Sequence, residues 1–170
     1  MFLDKFKPDA YFKSVHDVTP QFLQSKGIKG IITDLDNTLV PWDVHDATEE
    51  IKAWFKEILN HDMKVTIISN NNMERVKTFS DPIQIPFVHS AKKPLRKGFK
   101  QGSKQMGLAA HEIAVIGDQL LTDILGGNLG GFYTILVTPI VQTDAKITAF
   151  NRKMERFILK RLRRKGKIDF

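Results

Sequence analysis

Five short runs of apolar, largely β-branched residues punctuate the chain: Gly30 to Asp34, Val65 to Ser69, Phe87 to Ser90, Ile113 to Gly117 and Tyr133 to Val137. Runs of this length and composition predict strands. Between them the apolar positions recur at three- and four-residue steps. Ala47 to Asn60 sets Ile51, Trp54, Phe55, Ile58 and Leu59 on one helical stripe, and Met73 to Phe79, Leu95 to Met106 and Leu120 to Asn128 predict three shorter helices. Strand alternating with helix predicts an α/β fold of three-layer, Rossmann-like form, with a five-stranded parallel sheet covered on both faces.

Turn chemistry supports these limits. Ser80-Asp81-Pro82 closes one predicted helix, Gly107 ends another, and the GGNLGG run from Gly126 is expected to break the next before a strand. Because that run follows a helix and lacks GK[ST], it predicts a structural turn and not a phosphate cradle.

With 170 residues, 42% hydrophobic and 26% charged, the chain suits one globular domain with a substantial core. The expected organisation is an N-terminal arm (1–28), a catalytic core (29–143) and a basic amphipathic C-terminal helix (144–170). Cysteine is absent, which excludes disulfides, thiolate metal sites and cysteine nucleophiles. Chemistry must therefore use oxygen and nitrogen groups. The first residues, MFLDKFKPDAYF, mix charges with aromatics, unlike a secretory signal, and no apolar stretch is long enough to span a bilayer. A cytoplasmic protein is expected.

Charge is unevenly placed. Nine lysines and arginines lie between Arg152 and Lys167 against Glu155 and Asp169, so the tail alone carries the net +7 of the whole chain. Within it Ile147, Phe150, Met154, Phe157, Ile158 and Leu162 recur at helical steps, which leaves two readings open: a terminal helix packing its apolar stripe on the sheet, or a basic helix lying peripherally on the inner face of an anionic membrane. Phe2, Leu3, Phe6, Tyr11 and Phe12 could anchor the arm at the same interface or pack on the domain. Nucleic acid would also be attracted by the tail, but no RNA-binding or zinc-finger spacing accompanies it. The five histidines are scattered without paired ligand spacing.

Ligand sites in open parallel sheets lie at the carboxyl ends of strands. There the sequence places Asp34, Asp36 and Thr38 after the first strand, Ser69 and Asn70 after the second, Lys93 after the third, and Asp118 and Asp123 after the fourth. Strand alternation would aim Asp34 and Asp36 the same way, a repulsion that a cation could relieve. Any one acid here could be a helix cap, Ser69 a cap, and Lys93 solvated charge beside Lys92. Together, three carboxylates, a hydroxyl and an ammonium make a site for Mg²⁺ and a phosphoryl group.

DLDNT at Asp34 to Thr38, Ser69, Lys93 followed by Pro94, and GDQLLTD ending at Asp123 resemble the four motifs of the haloacid dehalogenase (HAD) superfamily of phosphatases, in order and across residues 30 to 137. The surrounding IKGIITDLDNTLVPW and VIGDQLLTDILGGN resemble its YqeG branch, which is similar to phosphatidylglycerophosphate phosphatases. The resemblance implies Asp34 as nucleophile and Asp36 as general acid and base. It implies Mg²⁺ held by the Asp34 and Asp118 carboxylates and the Asp36 carbonyl, a phosphoryl group bound by Ser69, Asn70, Lys93 and Thr38, and Asp123 supporting the metal or Lys93. Lys92 is the alternative lysine.

Neither interval in which such enzymes insert a cap domain has room for one, so an open site is expected. The expected function is Mg²⁺-dependent phosphomonoester hydrolysis through an aspartyl-phosphate, with phosphatidylglycerophosphate as substrate. The alternatives are a soluble or macromolecular phosphate, or an RNA- or protein-binding assembly factor on the same scaffold; oligomeric state is left open.

Overall fold

The structure is a computed structural model that describes residues 2–141 and 146–170, with side chains from Phe150 onward in the second stretch. The side chain of Ile147 and the expected boundary between residues 143 and 144 lie outside the described residues. Strands β1 (Ala10–Phe12), β2 (Gly30–Thr33), β3 (Lys64–Ile68), β4 (Phe87–Val88), β5 (Ile113–Gly117) and β6 (Tyr133–Val137) form one sheet in the order β1-β6-β5-β2-β3-β4. Every neighbouring pair is parallel. The helices are α1 (Pro20–Ser25), α2 (Glu49–Asn60), α3 (Met73–Ser80), α4 (Arg96–Met106), α5 (Leu125–Gly130) and α6 (Lys146–Arg164), and one turn of π-helix, Leu120–Ile124, precedes α5.

The sheet has six strands where five were expected. The extra one, β1, comes from the supposed arm, pairing Ala10 with Ile135 and Phe12 with Val137. Its three residues are only half-buried, so no apolar run marks it. Asp9 fixes its register instead, accepting from the Thr134 N–H (2.8 Å) while the Asp9 N–H donates to the Thr134 carbonyl (2.9 Å).

Alternate strand residues build two cores, as the two-residue period requires. Ile31, Val65, Ile67, Ala114, Ile116 and Ile135 pack with α1, α2 and α3 on one face. Ile32, Ile68, Ile113 and Val115 pack with Phe99 and Met106 of α4 on the other. Leu59, expected on the apolar stripe of α2, is 45% exposed. It sits about 100° round the helix from the fully buried Ile58, at the edge of the buried stripe.

The glycine run ends the helix before β6, as expected, but only at its last residue: α5 runs on to Gly130, and Gly131, with φ 79°, terminates it. A Cβ on Gly126 would come within 2.4 Å of Phe99 and one on Gly127 within 2.6 Å of Thr134. Close helix packing, rather than turning, explains these residues.

Helix α6 also departs from the single apolar stripe. Ile158 and Leu162 are buried with Phe6, Leu120, Ile124, Leu136 and Ile168, so the helix sits on the N-terminal residues, the π-helical turn and β6. Phe150 and Phe157 are 66% and 64% exposed, and Met154 is exposed with them. The apolar positions of α6 thus form two neighbouring stripes, one buried and one exposed. Of the N-terminal aromatics, Phe6 is buried, Tyr11 and Phe12 belong to β1, and Phe2 is exposed.

Candidate active site

The chain runs β2, β3, β4 toward one edge, then returns to place β5 on the other side of β2. This reversal makes β2 and β5 the topological switch point, where parallel sheets leave a crevice at their carboxyl ends. Asp34 follows β2 and Asp118 follows β5. Between Thr38 and Ser69 the chain forms only α2 and β3, and between Ser69 and Lys93 only α3, a 3-10 turn and β4. The carboxyl edge is accordingly uncovered by any insertion in these intervals.

Asp34, Lys93, Asp118 and Asp123 are all buried. Lys93 Nζ donates to Asp34 Oδ1 at 2.8 Å and to Asp123 Oδ1 at 2.6 Å. The Asp34, Asp118 and Asp123 carboxylates each bring an oxygen within 4.8 Å of the others, a cluster of hard donors that fits a divalent cation. Burial disfavours the charged form of Lys93, but the Asp123 and Asp34 charges outweigh it and hold the ammonium protonated far above the usual lysine range. Burial raises the Asp118 pKa, the Asp34 and Asp123 charges raise it further, and Arg152 only partly offsets them. Asp123 is pushed up to about 6 by burial despite its contact with Lys93. Three acids facing two cations retain a demand for positive charge.

Lys93, not Lys92, enters the site. Lys92 is exposed, with φ 54°, which turns the backbone so that its successor points inward. Asn70 secures that turn: its Oδ1 accepts from the Lys93 N–H at 2.6 Å and its Nδ2 donates to the Lys93 carbonyl at 3.3 Å. The Asn70 side chain, expected to bind phosphate, also positions the lysine. Thr38 is similarly engaged, donating to Asp118 Oδ1 at 3.2 Å. Ser69 is buried at the end of β3 and accepts from the Asn71 N–H at 3.1 Å, leaving its own proton to donate.

Asp36 stands apart from the buried cluster. The strand ends at Thr33 and Asn37 takes φ 62°, so strand alternation does not govern Asp34 and Asp36 as expected. Each acid instead has its own cation. Arg75 Nε and Nη2 donate to Asp36 Oδ1 at 3.1 and 2.9 Å, and Asn71 Nδ2 donates to Asp36 Oδ2 at 3.0 Å. Arg75 Nη1 reaches the His45 carbonyl at 3.2 Å.

Sequence reasoning missed Asn71, Arg75, Arg152 and Gly117. Arg75 lies in the first turn of α3, whose N-cap is Asn72, where the helix dipole disfavours a cation. That local violation was its one signal. Arg152 reaches from α6 to donate to Asp118 Oδ2 (2.5 Å) and the Asp118 carbonyl (3.0 Å), and Glu155 beside it accepts from the Leu121 N–H. A Cβ on Gly117 would lie 2.2 Å from Asp123 Cγ, so only glycine leaves room for that carboxyl beneath Lys93. Asp123 itself is carried inward by the π-helical turn, a distortion often found at functional sites.

A parallel sheet with an acid-led switch point, a second acid two residues on, a buried lysine and a further acidic loop defines a HAD-type phosphatase, a phosphoric monoester hydrolase. The fold agrees with the cobalt-bound deoxy-D-mannose-octulosonate 8-phosphate phosphatase of Haemophilus influenzae: TM-score 0.55 at 19% identity, covering 79% of this chain and 89% of that one. Residues 3–142 match the family described as Mitochondrial PGP phosphatase, and the chain belongs to it. It is 52% identical over 165 residues to the probable phosphatase YqeG of Bacillus subtilis, covering 97% of this chain and 96% of the relative. To phosphatidylglycerophosphate phosphatase 1, chloroplastic/mitochondrial, of Arabidopsis thaliana it is 30% identical over 174 residues, 94% of this chain but 49% of the relative.

Proposed function

We propose that the chain hydrolyses the terminal phosphomonoester of phosphatidylglycerophosphate with Mg²⁺, through an aspartyl-phosphate on Asp34. The observation that carries the chemistry is the buried Asp34 carboxylate, oriented by Lys93 at 2.8 Å at the open end of the sheet. Asp34 attacks phosphorus, and the departing alkoxide takes a proton from Asp36. Asp36 then removes a proton from the water that attacks the aspartyl-phosphate, releasing inorganic phosphate and restoring Asp34. Lys93 and Ser69 hold the phosphoryl oxygens as charge redistributes. Mg²⁺ would be held by the Asp34 and Asp118 carboxylates and the Asp36 carbonyl, with Asp123 orienting Lys93. When bound it supplies charge neutralisation for the phosphoryl oxygens.

The family description and the Arabidopsis relative's name support the lipid substrate. So does α6, whose exposed Phe150, Met154 and Phe157 stand beside Lys153, Lys160 and Arg164, a face suited to an anionic bilayer. Among the described residues no helix is long and apolar enough to cross a membrane, so contact would be peripheral. The test is phosphate release from phosphatidylglycerophosphate in anionic vesicles against soluble sugar phosphates and nucleotides. The lipid should be preferred at least tenfold and Asp34→Asn should abolish turnover; preference for the soluble esters would contradict the substrate.

A further inference from the structure

Helix α6 carries more than a buried and an exposed stripe. With about 100° between successive residues, Arg152, Arg156, Leu159 and Arg163 share a third face, and all four line a cavity of about 570 Å³. Leu120, Leu136 and Val137 add apolar lining, and Asp118 is part of the lining as well. Asp118 also belongs to the buried acidic cluster, so the cavity borders the catalytic edge. Its outer part is bounded by Tyr11 and Phe170, whose rings stack at 4.4 Å, with the Tyr11 hydroxyl hydrogen-bonded to Thr138 Oγ1 at 2.7 Å.

The lining fits a particular kind of molecule. Pockets that bury small ligands run to roughly 300–1,000 Å³, so the space is adequate for a headgroup and the first part of a chain. An apolar wall demands hydrocarbon, while guanidinium groups demand an anion able to accept their forked donors. Of the two acids in the lining, Asp118 and Glu155, both are bonded to Arg152. Arg163 directs Nε to the Phe170 carbonyl oxygen. Arg156 stands exposed at the rim, and no acid of the lining balances its charge.

We propose that this cavity is the subsite for the part of the substrate that does not react: an acylated alcohol bearing a phosphodiester. Arg156 takes the phosphodiester, Leu136 and Leu159 take the proximal acyl carbons, and the monoester phosphate lies toward Asp118. This assignment rests on the phospholipid reading above. It explains how an enzyme without a cap selects its substrate: α6 supplies the selective wall from the side.

The test uses the full chain and short-chain, monomerically soluble lipids. Dihexanoyl phosphatidylglycerol, the dephosphorylated product, should bind and shift NMR resonances of residues 136 and 159, whereas zwitterionic dihexanoyl phosphatidylcholine should bind at least tenfold more weakly. Arg156→Glu and Leu159→Trp should each weaken phosphatidylglycerol binding at least tenfold. They should also lower the ratio of kcat/KM for dihexanoyl phosphatidylglycerophosphate to that for an aryl phosphate by a similar factor. Binding indifferent to both substitutions, or equal loss on both substrates, would overturn the subsite while leaving a lipid phosphatase intact. Substitution-sensitive phosphatidylglycerol binding without hydrolysis of the phosphorylated lipid would uphold the cavity as an anionic-lipid site and overturn only the substrate.

Discussion

Asp34 and Asp36 are two residues apart and carry the same functional group, yet they occupy opposite electrostatic settings. Asp34 is buried with Lys93 among two further acids. Asp36, with its side chain 23% exposed, is held by Arg75 and Asn71 at the margin of the site. A group that must attack is best fixed in a dry, charge-compensated place. One that must give and take a proton needs contact with water and with the leaving group, plus a partner that fixes its direction. The difference between the two lies in their neighbours, since the backbone leaves β2 before either acid.

The largest expected effect comes from removing the buried cation. Lys93→Met leaves Asp34, Asp118 and Asp123 facing one another with only Arg152 nearby, and stranding buried charge typically costs about 3–5 kcal/mol. Activity should vanish and Tm should fall by roughly 10 °C, measurable by calorimetry. A Lys93→Met protein of unchanged Tm would show that the cluster does not depend on the ammonium. Substitution at the other pair should separate catalysis from stability. Arg75→Ala should lower kcat by about 10- to 100-fold with a Tm change of a few degrees or less, because Asp36 remains reachable by solvent. If Arg75→Ala unfolds the protein as Lys93→Met does, the contrast between the two pairs is wrong.

The smallest effect concerns pH. Asp118, Asp123 and Glu155 have folded pKa values raised by burial, so the folded state holds protons that the unfolded chain releases. Their contribution is fully present below the unfolded carboxylate range and is lost as pH rises through the folded values, near 6 for Asp123. The Lys93 ammonium stays protonated throughout this window. In a chelator, Tm should therefore fall from about pH 5 to about pH 8, on the order of 5 °C, and a divalent cation should restore more at the higher pH. A Tm that rises over that interval in chelator would mean the fold does not hold these carboxyls protonated.

Much of this was legible in the sequence because strand ends and reactive residues coincide. Asp34, Ser69, Lys93 and Asp118 each follow an apolar run that a period of two explains, so finding the strands located the site. The short edge strand β1 was not legible, since Ala10–Phe12 is half-buried and its register depends on Asp9 meeting Thr134 more than a hundred residues away. Asn71 precedes the N-cap of α3 and looks like an ordinary turn residue, while Arg75 offers only its unfavourable place in the first turn; the three-dimensional position of Asp36 gives both a purpose. The faces of α6 share too many apolar residues for periodicity alone to separate them. Phe157 and Ile158 are adjacent in sequence, one exposed and one buried, and the distinction comes from what Phe6 and Leu120 cover.

Asp34, rather than Asp36, is the residue expected to become phosphorylated. Turnover of an aryl phosphate should be quenched with borohydride, which reduces an aspartyl-phosphate to homoserine, and the peptide containing residues 31–40 sequenced by mass spectrometry. Homoserine at position 34, absent from Asp34→Asn, is the predicted result; homoserine at position 36, or full turnover by Asp34→Asn, would contradict it.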